Sequence, residues 1–134
     1  MIAYLDASVL LRVVLRQPDA LHEWRIIEQG IASALVEVEC LRTLDRLRIA
    51  DREIAVRREA IFRLMEAMEI VELNRPVLER AAQPLPTSLG ILDAIHLATA
   101  LLWRERSGVN LVMATHDAGL GIAARASGLR VAGC

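Results

Sequence analysis

Residues 92–100 have the sequence LDAIHLATA, in which one acid, Asp93, stands inside an otherwise apolar segment. Moving a carboxylate from water into apolar surroundings without a partner is costly, so an acid at this position needs a physical reason. The pattern of residues 91–106, followed by Gly108, predicts a helix with Asp93 in its first turn. This largely apolar helix and its acid are the starting point for interpreting the rest of the chain.

Three further acids follow or interrupt apolar runs elsewhere in the sequence. The run MIAYL leads directly into Asp6, the run NLVMATH leads into Asp117, and Glu39 lies within ALVEVECL. Carboxylate oxygens are the ligands that hard cations such as Mg²⁺ and Mn²⁺ prefer. Gathering several carboxylates without a cation would be repulsive. Acids so similarly placed yet far apart in sequence therefore suggest one shared site for a hard cation.

Apolar runs alternate with helical patterns along the chain, which predicts an α/β fold in a single domain, residues 1–134. We expect a three-layer α/β/α sandwich with a central, mainly parallel five-stranded sheet. The predicted strands are 2–5, 31–33, 70–73, 111–115 and 129–132, and the predicted helices are 8–16, 19–30, 35–49, 51–68, a short one from Pro76, 91–106 and 118–126. In open parallel sheets ligands bind at the carboxyl ends of the strands, and we expect the acids to converge there.

The composition excludes several classes of site. The formal net charge is −1, so bulk charge does not indicate a nucleic-acid binder, and all sixteen basic residues are Arg. Without Lys the chain has neither a P-loop nor Schiff-base chemistry. Cys40 and Cys134 do not make a disulfide framework. Asp6 and Arg12 interrupt the apolar amino-terminal run, so we expect no signal peptide, no membrane span and a cytoplasmic protein.

Taken in order, these motifs resemble those of the PIN domain, specifically the toxin ribonucleases of VapBC toxin–antitoxin pairs. The matching pieces are LDAS at 5–8, SALVEVECLR at 33–42, LDAIHLATA at 92–100, THD at 115–117 and AARASGLRV at 123–131. No single piece is specific, but the ordered set covers essentially the whole chain. The fold that the resemblance implies is the same α/β sandwich, here PIN-like.

The resemblance implies a metal-dependent endoribonuclease that hydrolyses RNA phosphodiester bonds and is the toxin of a type II toxin–antitoxin pair. Asp6, Glu39, Asp93 and Asp117 would be its acidic quartet, binding Mg²⁺ or Mn²⁺ and acting in catalysis. Ser8 and Thr115 resemble hydroxyl residues that orient an acid or a water molecule. The implied partners are an RNA substrate, a cognate VapB-type antitoxin and a second copy of the chain in a homodimer.

Each acid also has a structural explanation. Asp6 and Asp117 suit the N-caps of the helices that follow them, and Asp93 suits the dipole of its own helix. Periodicity does not separate Glu39 from Glu37, and only the family pattern selects Glu39. Two other functions stay open: a PIN-like RNA- or protein-binding module without catalysis, and an Asp-cluster phosphatase or phosphotransfer domain, which the missing Lys disfavours.

Basic and aromatic side chains complete the list of candidates. Arg12, Arg16 and Arg42 are possible phosphate contacts, although each also fits a solvated helix face. His96 and His116 neighbour two of the acids, and we expect both to have packing or hydrogen-bonding roles rather than to bind metal.

Overall fold

The computed structural model describes residues 1–134. Five parallel strands form its central sheet, in the spatial order β3-β2-β1-β4-β5. The strands are β1 (Ile2–Leu5), β2 (Gln29–Ser33), β3 (Glu69–Val71), β4 (Val112–Ala114) and β5 (Arg130–Ala132). The helices are α1 (Ala7–Val14), α2 (Leu35–Arg46), α3 (Asp51–Ala67), α4 (Arg75–Ala81), α5 (Ile91–Ser107) and α6 (Ala118–Ala126). This is the predicted three-layer sandwich, with a sheet that is wholly parallel.

Side chains of β1 point alternately to two separate cores because successive residues of a strand face opposite sides of the sheet. Ala3 and Leu5 pack in a core with α1, α2 and α3, whereas Tyr4 packs in a second core with α5 and α6. Both faces are thus covered, which explains why β1 is apolar without alternation. None of the helices has the length and apolarity needed to cross a membrane.

The order of the strands reverses direction at β1. The chain adds β2 and β3 on one side of β1, then returns to place β4 and β5 on the other side. Ligand sites of open α/β sheets lie at such switch points, beyond the carboxyl ends of the strands. Asp6 follows β1 directly, and Thr115 follows β4, so both residues lie at this position.

The predicted helix at residues 19–30 is wrong. Only a single 3₁₀ turn, His22–Ile26, forms there, and Asp19 pairs with Arg12 instead of capping a helix. Gly30 does not end a helix but lies within β2, where a Cβ atom would stand 2.9 Å from the Leu5 side chain. The conformation of this segment is therefore determined by tertiary packing, which the local sequence pattern does not report.

Leu97 offers a test of the second core because its side chain is completely buried in α5. We expect Leu97→Ala to lower the free energy of unfolding by about 2–5 kcal/mol, through lost burial and the cavity left behind. Leu78→Ala, at a position that is 45% exposed in α4, should cost about 1 kcal/mol or less. Urea unfolding followed by circular dichroism measures both, and equal losses would contradict this packing.

Candidate active site

Asp6 is a buried carboxylate, 5% exposed, that receives hydrogen bonds through both oxygens. Its Oδ1 accepts from the Ser8 hydroxyl at 2.6 Å and from the Val9 backbone N–H at 3.2 Å, which makes Asp6 the N-cap of α1. Its Oδ2 accepts from the Thr115 hydroxyl at 2.5 Å. Three donors thus compensate the burial of this charge.

The two hydroxyls that hold Asp6 also hold the loop after β4. Ser8 Oγ accepts the backbone N–H of His116 at 2.9 Å, and Thr115 Oγ1 accepts that of Asp117 at 3.0 Å. Each hydroxyl therefore donates to Asp6 and accepts from the loop. We call these four bonds the hydroxyl bridge; it joins the ends of β1 and β4 across the switch point.

Gly133, just after β5, lets the chain pass closely over this loop. Its φ is +101°, and a Cβ atom at this position would collide with the Thr115 carbonyl. Its own carbonyl oxygen lies 3.0 Å from His116 Nδ1. A glycine is needed here because other residues rarely adopt this backbone conformation and lack the space.

Asp117 is the N-cap of α6, and its Oδ1 accepts the Leu120 backbone N–H at 2.8 Å. The carboxylate is exposed, and its second oxygen has no hydrogen bond within the protein. The capping roles of Asp6 and Asp117 are therefore real, and they occupy only part of each carboxylate's capacity to accept hydrogen bonds.

Glu39 lies in the second turn of α2 and contacts His96 of α5, with 2.6 Å between Glu39 Oε1 and His96 Nε2. The other ring nitrogen of His96, Nδ1, lies 2.7 Å from the Tyr4 hydroxyl. Glu37 is exposed, so the structure separates the two glutamates that periodicity leaves equivalent. Sequence reasoning missed Tyr4, the chain's one tyrosine, although its place beside Asp6 on a buried strand was a signal.

Asp93 lies in the first turn of α5, and the charges of the other three acids affect its pKa. Burial raises the pKa of the Asp93 carboxyl above its ordinary value of 3.8, and the charge of Asp117 raises it further. His96 acts in the opposite direction, while Asp6 and Glu39 add smaller upward effects. The four carboxylates therefore share one electrostatic environment although they come from four separate segments.

This shared environment is not a closed ligand set, because no three Asp, Glu, His or Cys side chains are arranged to hold a metal ion. Asp6 is turned toward the hydroxyl bridge, Glu39 toward His96 and Asp117 toward the α6 amide. Carboxylate oxygens are the ligands that a hard cation prefers. Burial raises the pKa of Asp93 most, and the neighbouring carboxylates, whose charge a cation would neutralise, raise it further. The donor chemistry therefore fits Mg²⁺ or Mn²⁺.

None of the three candidate arginines forms an ion pair with the four acids. Arg12 pairs with Asp19 at 2.7 Å, and Arg42 pairs with Asp45 at 2.8 Å. Both are partly exposed pairs of the kind that contribute little to stability, so either guanidinium is free to exchange partners. Arg16 lies beyond the far end of α1, roughly 15 Å from Asp6 along the helix axis.

Comparison with known proteins agrees with this fold and with the sequence resemblance. The PIN domain family model matches residues 3–125. Ribonuclease VapC46 of Mycobacterium tuberculosis is 35% identical over 96% of this chain and 94% of that protein. Two solved structures share the fold: FitAcB from Neisseria gonorrhoeae (TM-score 0.69, 21% identity, 98% and 96% coverage) and a toxin–antitoxin complex from Klebsiella pneumoniae (0.63, 18%, 90% and 90%).

The family model spans nearly all of the sandwich, from β1 to the end of α6, and so includes all four acids. The relative from M. tuberculosis aligns over almost the whole of both chains. On this agreement of sequence and fold, the chain belongs to the PIN domain family and is a relative of the VapC ribonucleases.

Proposed function

We propose that this protein is a divalent-metal-dependent endoribonuclease and the toxin of a type II toxin–antitoxin pair. The observation that carries the proposal is that β1 and β4 end beside each other and bring Asp6 and Asp117 to one switch point. There the charges of Asp117, Asp6 and Glu39 add to the effect of burial in raising the pKa of Asp93. Four mutually repelling carboxylates beside a topological switch point make poor sense in a purely structural role, and good sense as ligands of a cation. Membership of the PIN family and relation to the VapC ribonucleases support RNA as the substrate.

In this proposal Asp6, Glu39, Asp93 and Asp117 hold Mg²⁺ or Mn²⁺, which supplies Lewis-acid charge for hydrolysis of a phosphodiester bond. Ser8 and Thr115 hold Asp6 in its orientation, because each hydroxyl donates to one of its oxygens. The exposed carboxylate of Asp117 stands at the solvent side, where substrate enters. No side-chain nucleophile is required, since water is the attacking group.

We also propose an antitoxin as protein partner. A groove of about 670 Å³ between α1 and α3 is floored by Val13, Val14, Ala55, Val56, Ala60 and Leu64 and carries Arg16, Arg52, Arg57, Arg63 and Glu59. An apolar floor with a basic rim suits an amphipathic, acidic segment. The Klebsiella structure, a toxin–antitoxin complex with this fold, supports a partner of this kind.

A homodimer completes the proposed assembly. Exposed apolar side chains next to two of the acids support it, since Val38 is 60% exposed beside Glu39 and Ile91 is 80% exposed two residues before Asp93. Exposed apolar side chains near a polar site are typical of surfaces that are covered by another protein.

The catalytic proposal is tested with Asp93→Asn, which keeps the side-chain shape but removes a charge. We expect cleavage of a mixed RNA pool in Mn²⁺ to fall at least about 100-fold, because metal-assisted hydrolysis contributes several kcal/mol. Glu37→Gln removes one exposed charge outside the cluster and should cleave at the parent rate. Parent activity in Asp93→Asn would show that the site lies elsewhere. RNA binding without cleavage in the parent would favour the non-catalytic module.

Stability should depend on both metal and pH. Because the pKa of Asp93 is raised in the folded protein, protonation of its carboxyl favours folding. This contribution to the free energy of unfolding is complete below pH 3.8 and is lost as the pH rises through the folded pKa. In EDTA, Asp93→Asn should therefore melt at a higher temperature than the parent at neutral pH, with the gain shrinking as the pH approaches 3.8. A metal ion at a concentration 100 times its Kd should raise the free energy of unfolding of the parent by about 2.7 kcal/mol. A parent Tm that ignores millimolar Mn²⁺ would contradict the proposal.

The groove is tested with Val56→Asp, a half-exposed position on α3. We expect the variant to bind the proposed antitoxin at least about tenfold more weakly, since a carboxylate would be buried against an apolar face. Ile122→Asp, at a similarly exposed position on α6, should bind normally. Calorimetry with the two purified proteins measures the affinity of each variant for the antitoxin. RNA cleavage in the absence of the antitoxin should be unchanged in both variants. Equal affinities would place the partner on another surface.

A further inference from the structure

A buried chain of three polar side chains runs from the core to the site. Tyr4 is completely buried, His96 is 1% exposed, and Glu39 reaches the solvent boundary with 22% of its side chain exposed. The imidazole of His96 contacts both neighbours at hydrogen-bonding distance, Tyr4 through Nδ1 and Glu39 through Nε2. Both ring nitrogens are thus occupied, so His96 has no lone pair to offer a cation.

For an ionised Glu39 and a neutral His96, the donors and acceptors in this chain follow from what each group can donate or accept. An ionised carboxylate only accepts, so the short contact to Glu39 requires a hydrogen on His96 Nε2. A neutral imidazole has one N–H, which leaves Nδ1 as an acceptor for the Tyr4 hydroxyl. Burial holds the pKa of Tyr4 well above its ordinary value of 10.0, so Tyr4 keeps the proton that it donates. Every hydrogen bond in the chain then runs outward, from Tyr4 through His96 to Glu39.

We propose that His96 is a positioning residue that fixes Glu39 Oε1 and leaves Oε2 for the cation, with Tyr4 selecting the tautomer that does so. This inference rests on the proposed function, in which Glu39 is a metal ligand. A glutamate on a helix surface has several rotamers, and ordering its side chain costs free energy. A hydrogen bond from a buried, immobile imidazole removes much of that freedom before the metal arrives.

His96 lies on the same helix as Asp93, one of the proposed metal ligands. His96 follows Asp93 by three residues, and side chains three apart lie on the same side of a helix. One rigid helix therefore carries one proposed ligand and the group that orients another. Contacts of this kind, which orient a metal ligand without touching the metal, typically account for 10–100-fold in metal affinity.

The test measures Mn²⁺ binding by electron paramagnetic resonance on the intact protein, with RNA cleavage as a second readout. We expect His96→Leu, which cannot donate to Glu39, to raise the Mn²⁺ Kd at least about tenfold. His96→Gln places an amide N–H near the position of Nε2 and should recover most of the affinity, to within about tenfold of the parent. Glu39→Gln, which removes the ligand itself, should bind at least as weakly as His96→Leu.

Two further measurements keep the proposal testable if His96→Leu folds poorly. Tyr4→Phe keeps the ring packing but removes the tautomer-selecting hydroxyl, and we expect it also to weaken Mn²⁺ binding. In the parent protein, ¹⁵N shifts of the His96 ring should identify the Nε2–H tautomer. Melting temperatures in EDTA record any purely structural loss separately, because packing defects lower Tm without changing the metal affinity of the folded fraction.

The outcomes separate the two proposals. Suppose that Glu39→Gln weakens Mn²⁺ binding while His96→Leu, His96→Gln and Tyr4→Phe all bind Mn²⁺ like the parent. The positioning role is then overturned and the metal site stands. An Nδ1–H tautomer in the parent also overturns the positioning role. If neither the parent nor any variant binds Mn²⁺, the proposed function itself fails, and the inference fails with it.

Discussion

The hydroxyl bridge around Asp6 is the interaction on which the site depends. Burying a carboxylate that is only 5% exposed is costly without hydrogen-bond donors, and here Ser8, Val9 and Thr115 all donate to Asp6. The same two hydroxyls accept backbone N–H groups of His116 and Asp117, and Thr115 itself follows β4, so Asp6 has its full set of donors only when the loop after β4 is in place. The charge at the site and the junction of β1 with β4 are therefore maintained by one set of bonds.

Structural and chemical roles are combined in the same side chains. Asp6 and Asp117 each cap a helix through one oxygen, and each cap sets the start of the helix that follows a central strand. Capping fixes the carboxylates on rigid elements, where functional groups are held more accurately than on loops. The cost is a concentration of negative charge, which adds to burial in raising the pKa of Asp93. A bound cation would offset that charge.

Much of the fold could be predicted because its signals are local. The apolar runs of β1 and β4, the amphipathic pattern of α3 and the limits of α6 all follow from residues close together in sequence. The 3₁₀ turn at His22–Ile26 could not, since the sequence does not report that Asp19 pairs with Arg12 or that Gly30 lies within β2 against Leu5. Likewise the distinction between Glu37 and Glu39 depends on His96, 57 residues away from Glu39, and no periodicity reports such a contact.

The long span of the hydroxyl bridge also has a consequence for synthesis of the protein. Thr115 and Asp6 are separated by 109 residues, and β4 must insert beside β1 before their hydroxyl and carboxylate meet. Contacts so distant in sequence form late, because the entropy of closing the intervening loop is lost before the contact compensates it. On the ribosome, Asp6 and Glu39 emerge long before Asp117. A growing chain therefore has an incomplete set of acids until β4 and the loop after it have left the exit tunnel.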